Sequence, residues 1–491
     1  MQLTSPQNLT HRRQNLFLVS AVFTLVLFVL FLFWMLVPFN GAPGFSLSVF
    51  LLVLTALPVA IALMRGKFDL FEPINILSFI FALYFSARAI YVISEISPST
   101  AQVSYYPYSD TIPLALWYVI LGFLSLLVGY YSRIPSKLAM AFPHLIPRWS
   151  QPFSFKRILL IYAIGLCAQF VSFRLAGSYI WTTGSQVDSP MPYYLAALTQ
   201  FIQYATCMTV ISVFQKGASK NFVWFFWLVL VPTTIAQSLI LGGRTPILAI
   251  VAQVLIAYHY LRRKISIVIV ALLGIIVLTT IFPLLAIFRG NYLGSVGIAH
   301  NPAELVERIK GFPAYLSQMD RFEYLSIAAD VLMQRSHGID SLSLLIKYTP
   351  GLSDFKYGRD YLLIPAYAFV PRAIWPDKPQ NFSVEFGRLY FSDPASSGSV
   401  SIGQFHIGDL YWNFGLPGII VGMFFLGIFY RSAYLYLLPA KNKNPLRIFL
   451  YTFYLLLVVQ AFEVDITSMV SNLFKTLVFL IPVLWFMKGR R

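Results

Sequence analysis

Long apolar runs separated by short polar breaks repeat along almost the whole chain. Runs near the 20 residues that a helix needs to cross a bilayer fall at about 16–37, 46–64, 74–94, 111–131, 158–174, 192–215, 222–241, 245–261, 266–288, 414–436, 446–463 and 467–487. A helix satisfies its own backbone hydrogen bonds in lipid, so such runs predict helices. The pattern predicts an all-α polytopic membrane protein with about 12 transmembrane helices, of which those at 158–174 and 245–261 are short for a full crossing. One segment departs from it. Residues 289–410 form a long mixed loop between a first block of about nine helices (1–288) and a closing block of about three (411–491). Within the loop, Glu304, Glu307, Arg308 and Lys310 alternate with Leu305, Val306 and Ile309, which predicts a short amphipathic helix after Asn301-Pro302. Leu325, Ala328, Ala329, Leu332 and Met333 form a stripe that predicts another from Arg321 to Arg335. Asp360 to Val370 is strongly apolar and suits the membrane surface.

Composition agrees with this picture, with 58% hydrophobic and 11% charged residues against roughly 25% charged in a soluble domain. A net charge of +17 would suit nucleic acid, but its distribution argues against that partner. Lys and Arg concentrate in cytoplasmic loops of membrane proteins. With the N-terminus inside, the inner segments hold Arg12, Arg13, Arg65, Lys67, Arg133, Lys137, Arg148, Lys156, Arg157, Lys216, Lys220, Arg262, Arg263, Lys264, Lys441, Lys443, Arg447, Lys488, Arg490 and Arg491. The loops 38–45, 95–110 and 464–466 carry none. The basicity is topogenic: both termini are expected in the cytoplasm and the 289–410 loop outside. That loop holds 12 of the 19 acidic residues against 11 basic ones, unlike a polybasic lipid-binding tail. The first apolar run is too long for a cleavable signal peptide, and no small-residue cleavage site follows it. Cys167 and Cys207 fall inside predicted spans, where cysteine packs as a small apolar residue, and their spacing suggests neither disulfide nor metal.

Several cations stand where that charge rule would not place them. Arg244 lies in Gly242-Gly243-Arg244-Thr245-Pro246 and Arg289 in Phe288-Arg289-Gly290-Asn291-Tyr292, while Arg372 and Lys378 flank Trp375-Pro376. Guanidinium groups offer forked donors that match phosphate oxygens at any working pH. Three or four converging at the outer surface would make a pyrophosphate clamp; singly, each could snorkel to headgroups or pair with a carboxylate. His406, just before the tenth predicted span, is a candidate general base, with Asp409 one turn further on, or else a structural histidine at the interface. His300 and His337 read as surface residues. Arg88 lies mid-helix in the third span and Lys475 in the twelfth; Glu463 and Asp465 are plausible partners for Lys475. The spans hold essentially no carboxylates, which argues against a proton-coupled transporter. Tyr105, Tyr106, Tyr108, Trp181, Trp375 and Trp412 could stack on sugars, although aromatic belts at the interfaces account for most such residues.

The order of these motifs resembles the Wzy-type O-antigen and oligosaccharide repeat-unit polymerases. The resemblance rests on Gly-Gly-Arg-Thr at 242–245, Arg-Gly-Asn-Tyr at 289–292, Tyr357-Gly358-Arg359-Asp360-Tyr361, the stretch from Pro371-Arg372 to Lys378-Pro379, and Gly408-Asp409-Leu410-Tyr411-Trp412-Asn413-Phe414-Gly415. It covers about Ile240 to Gly422, with hydropathy alone elsewhere. It implies a GT-C-like integral glycosyltransferase of the bacterial inner membrane. Such an enzyme moves a growing glycan from one undecaprenyl-pyrophosphate carrier onto a new lipid-linked repeat unit for surface polysaccharide such as lipopolysaccharide, with no cofactor and no metal. Arg244, Arg289, Arg372, Lys378 and Arg359 would hold the pyrophosphate, and His406 or Asp409 would activate the acceptor hydroxyl. Expected partners are the lipid-linked donor and acceptor, membrane lipid and a chain-length regulator protein. Relatives often place glutamate where this chain has Asp409. The alternatives are an O-antigen ligase, which uses the same donor, a lipid-linked oligosaccharide flippase, and a non-catalytic scaffold in a polysaccharide export complex.

Overall fold

A computed structural model describes residues 43–66, 68–94, 106–141, 153–176, 198–215, 217–241, 245–288, 302–320, 322–324, 336–364, 382–391, 402–438 and 444–488, with isolated positions between them. Every regular element among these residues is helical. In chain order they are α1 (Pro43–Met64), α2 (Pro73–Ile93), α3 (Ile112–Tyr131), α4 (Ile134–Ala141), α5 (Phe155–Ala176), α6 (Gln200–Phe214), α7 (220–241), α8 (Thr245–Leu261) and α9 (267–287). There follow α10 (Pro302–Ser317), α11 (Gly338–Tyr348), α12 (Phe382–Tyr390), α13 (Phe405–Leu437), α14 (Pro445–Glu463) and α15 (Ile466–Lys488). Seven are long and apolar enough to cross a membrane, namely α1, α2, α3, α5, α7, α13 and α15; α6, α8 and α14 are apolar but shorter. The chain is a polytopic membrane protein. The predicted run 16–37 lies outside the described residues. The amphipathic helix expected after Asn301-Pro302 is α10, whereas most of the one expected from Arg321 to Arg335 lies outside them.

Two apolar cores form. One gathers α1, α2, α3, α11, α12 and α13 around Phe81, Phe85, Phe123, Phe405 and Trp412. The other joins α5, α6, α7, α8, α14 and the far half of α15. Inside lipid there is little hydrophobic drive between helices, so close backbone approach supplies the packing. Between α3 and α13, Gly129 lies against the backbone of Phe424 and Gly427 against that of Leu126, leaving no room for a Cβ at either position.

α13 is not one straight rod. Gly415 has φ 64 and ψ −154, a region open essentially to glycine alone, and Pro417 follows it. The chain folds back there, so a short arm (405–414) lies against a long arm (416–437). Leu410 touches the sites of Gly418 and Gly422. His406 Nδ1 is 3.2 Å from the Tyr430 hydroxyl, which 24 residues of straight helix would place about 36 Å away.

Between α9 and α13, the described helices α11 and α12 pack into the bundle. α11 is buried from Gly338 to Leu345 and runs along α2. It starts beside Tyr84 and Phe85, near the middle of α2, and ends where Tyr348 donates to the Pro107 carbonyl (2.9 Å) and Lys347 meets Asp110 (2.6 Å). Arg88, flagged by its depth in α2, meets Asp340 through Nε to Oδ2 at 2.9 Å and a second bond of 3.2 Å, with both side chains wholly buried. The Tyr108 hydroxyl donates to the same carboxylate. A buried charge needs such partners, because desolvation otherwise costs several kcal/mol per ion.

At the opposite end, the turn between α1 and α2 is clamped by tyrosines. Asp69 accepts from Tyr260 (2.9 Å) and Tyr434 (2.9 Å) and lies 3.5 Å from His259 Nε2. Burial pushes its carboxyl up, but these hydrogen bonds outweigh it and hold the group below its usual range. Glu72 accepts from Tyr130 at 2.9 Å and pairs with Arg431. There burial wins, and its pKa is raised despite the neighbouring guanidinium.

Candidate functional site

Two sequence motifs some 50 residues apart meet at the short arm of α13. At its end the helix leaves carbonyls without intrahelical donors. The turn 356–358 supplies them: Lys356 N–H donates to the Trp412 carbonyl and Tyr357 N–H to that of Asn413, each at 3.0 Å. Gly358 N–H donates to Asn413 Oδ1 at 2.9 Å. This needs left-handed backbone at Tyr357 (φ 51) and Gly358 (φ 73). Glycine takes that conformation freely, and a Cβ at 358 would come within 2.7 Å of the Phe414 ring. Lys356 then lies over the rings of Trp412 (4.6 Å) and Phe382 (5.0 Å) and pairs with Glu385 of α12.

Residues 405–413 of the short arm are all buried, His406 and Asp409 at 0% exposure. The helix starts at Phe405, so both residues lie in its first turns. Asp409 Oδ1 accepts from Asn413 Nδ2 at 2.9 Å, and Oδ2 accepts from the Ile466 N–H at 2.8 Å. Asn413 Nδ2 also reaches the Tyr361 hydroxyl at 3.2 Å. Burial, then the Asp409 charge, push the Tyr361 phenol well above its ordinary pKa. Asp465 is equally buried and caps α15, taking the Ser468 N–H and hydroxyl (2.8 Å) and the Ser383 hydroxyl (3.3 Å). Two carboxylates from separate elements thus share the N-terminal turn of α15, where the helix dipole favours negative charge. Burial raises the Asp465 pKa all the same. His406, beside its bond to Tyr430, lies edge-on to Phe462 at 5.4 Å.

Of the residues singled out in the sequence, Asp409 and the 357–361 turn are brought together through Asn413, while His406, one turn earlier on the short arm, faces Tyr430 and Phe462. Arg359 is exposed at the start of a single helical turn, Arg359–Leu362. Arg244, Arg289, Arg372, Lys378, His300, Tyr105 and Trp181 lie outside the described residues. Three expectations change. Glu463 accepts from Tyr84, Asp465 caps α15, and neither carboxylate pairs with Lys475. His337 is half-buried, 5.6 Å from Phe405, instead of lying on the surface. Trp412 and Tyr108 are buried at 0% and 5%, so neither presents a free face to a sugar, while Tyr106 is half-buried with its ring 5.2 Å from that of Tyr348. Asn413 and Asp465 carry the site's polar framework, and Asp340 the buried pair with Arg88, without having been singled out as site residues. An arginine in mid-span is usually paired inside the protein, but nothing local says with what. Among the described residues no three His, Cys, Asp or Glu side chains converge as metal ligands do.

Similarity to known proteins is of two kinds. A segment of 63 residues is 38% identical to the proteins named O-antigen polymerase of Salmonella typhimurium and Salmonella typhi. It amounts to 13% of this chain and 16% of each relative, so the chain matches about a sixth of their length. No solved structure matches. A family model does match across residues 39–434, from α1 through nearly all of α13. The chain therefore belongs to the family described as Domain of unknown function (DUF8712).

Proposed function

We propose that this protein polymerises lipid-linked oligosaccharide repeat units into a surface polysaccharide. The observation that carries the reading is the 38% identity of its 63-residue segment with two O-antigen polymerases. The union of the 357–361 and 408–415 motifs at one hairpin supports it, since these residues also carry the resemblance to the polymerase family. Under this reading both termini face the cytoplasm, the 289–410 segment faces outward, and the membrane is the bacterial inner membrane.

In the reaction, the bond between the donor sugar's anomeric carbon and the pyrophosphate oxygen breaks, and its electron pair leaves with the carrier pyrophosphate. The acceptor hydroxyl oxygen bonds to that carbon, and its proton passes to His406 or Asp409. Asp409, bonded to Asn413 and Ile466 N–H, also fixes the short arm against α15. Arg359 at the hairpin's mouth is joined by Arg244, Arg289, Arg372 and Lys378 as ligands of the pyrophosphate, a positioning and electrostatic role. A chain-length regulator would act from outside this machinery.

The test is a gel profile of surface polysaccharide from a strain lacking the protein, rescued with wild type or Arg289→Ala. Single-repeat chains in the null, restored by wild type and not by the variant, support a polymerase with an arginine-dependent site. Long chains stranded on carrier lipid would indicate a ligase, and repeat units trapped on the cytoplasmic face a flippase.

A further inference from the structure

The turn that caps the short arm also carries an aromatic surface that the reaction scheme leaves unused. Tyr357 is 76% exposed although its φ is 51, a backbone state that a residue with a Cβ adopts at a cost. Its N–H is committed to the Asn413 carbonyl, so the backbone is pinned and the ring is held outward. Behind it a series of rings leads inward. Phe355 lies 6.1 Å from Tyr357, Tyr411 lies 6.0 Å from Phe355, and Tyr118 lies 5.8 Å from Tyr411. On the other side of Gly358 stands Phe414, 43% exposed, with Tyr361 at 6.2 Å. Asp354 and Arg359, both exposed, flank the turn.

Aromatic rings carry a negative face, which attracts the polarised C–H bonds on one side of a sugar ring. A carboxylate and a guanidinium beside it supply an acceptor and donors for hydroxyls. Exposed tyrosines also populate the interfacial belts of membrane proteins. A belt tyrosine needs no fixed backbone, whereas here the capping hydrogen bonds hold residue 357 left-handed and so fix the place at which its ring emerges.

We propose that Tyr357 and Phe414 form a platform on which one sugar ring of a glycan stacks, with Asp354 accepting from its hydroxyls. The choice of a glycan rests on the polymerase reading. Arg359, two residues beyond Tyr357, is a proposed pyrophosphate ligand, which suits a sugar close to that group. Because the turn is hydrogen-bonded to Trp412 and Asn413, a ring seated on it is held in fixed register with His406 and Asp409.

The test uses the full chain in lipid nanodiscs. The probe is the oligosaccharide mixture released by mild acid from the source strain's surface polysaccharide, titrated by saturation-transfer NMR. Asparagine tolerates left-handed backbone, so Tyr357→Asn removes the ring and keeps the turn, while Tyr357→Phe keeps the ring. Wild type and Tyr357→Phe are expected to bind alike, and Tyr357→Asn and Phe414→Leu roughly tenfold more weakly. Thermal melts of each variant report whether the fold is intact. A folded Tyr357→Asn protein that binds like wild type, or a wild type that does not bind, overturns the platform. Neither result touches the polymerase reading, which fails instead if cells lacking the protein still make full-length chains.

Discussion

At the scale of single residues, charge burial decides what is tolerated. Arg88 and Asp340 are both 0% exposed and share two hydrogen bonds. Removing one partner leaves the other buried and uncompensated, at a cost of about 3–5 kcal/mol, whereas replacing both with apolar residues of similar volume is often near neutral. Arg88→Met alone is therefore expected to lower the melting temperature of the purified protein sharply, and Arg88→Met with Asp340→Leu and Tyr108→Phe, which also removes the hydroxyl that donates to Asp340, to recover most of the loss. A combined variant no better than the single one would refute the pairing as the cause. Asp465 makes a pH prediction. Burial raises its folded-state pKa, so the folded protein binds this proton more tightly than the unfolded chain does. Its contribution to stability is present below the ordinary carboxylate value, about 4, and is lost as pH rises through the raised folded value. Asparagine caps helices equally well, so Asp465→Asn should flatten the fall in melting temperature above pH 4. An unchanged slope would mean that another group titrates there.

At the scale of elements, the hairpin within α13 decides where chemistry can occur. The run 414–436 was legible in the sequence as one apolar helix, and the motif before it as a loop. The structure joins them as two arms about Gly415 and buries His406 along the long arm. Cysteines at positions 410 and 422, in a background without Cys167 and Cys207, should form a disulfide on mild oxidation, because Leu410 lies against Gly422. In a straight helix those positions are about 18 Å apart and would stay reduced. Gly415→Ala forces a Cβ into a region nearly closed to it, at a cost of about 1–3 kcal/mol. It should reduce both that crosslink and polymer length on gels. The sequence showed a glycine followed two residues on by a proline, but many kinked helices carry such a pair. Only the contacts of Leu410 with Gly418 and Gly422, and of His406 with Tyr430, distinguish a fold-back from a bend.

For the whole molecule, the division of labour runs along the length of α13. One end carries the hairpin, the 356–361 turn and the buried Asp409 and Asp465. The other carries Arg431 and Tyr434, which grip Glu72 and Asp69 in the turn between α1 and α2. Variants of the two kinds of arginine should therefore separate in cells. Alanine at Arg244, Arg289 or Arg372 is expected to abolish long polysaccharide chains with the protein present at its normal level. Arg88→Met is expected to reduce its abundance as well, read by immunoblot beside the gel. Full-length chains from all three alanine variants at normal abundance would exclude the pyrophosphate clamp.

Hydropathy by itself determined that this is an all-helical membrane protein, because each span satisfies its own backbone and needs no distant partner to declare itself. The mid-span depth of Arg88 likewise marked it as a group that faces protein and is paired. What the sequence could not state was the identity of the partner, since Asp340 lies 252 residues away and is one of 12 acidic residues in the 289–410 segment. Nor could it place Asp465, whose neighbours suggested Lys475 while its geometry serves the first turn of α15. Tertiary structure decided these pairings, together with the fold-back at Gly415 and the meeting of residues 357–361 with 408–415. Each depends on which surfaces pack, and packing brings together groups whose separation along the chain carries no periodic signal.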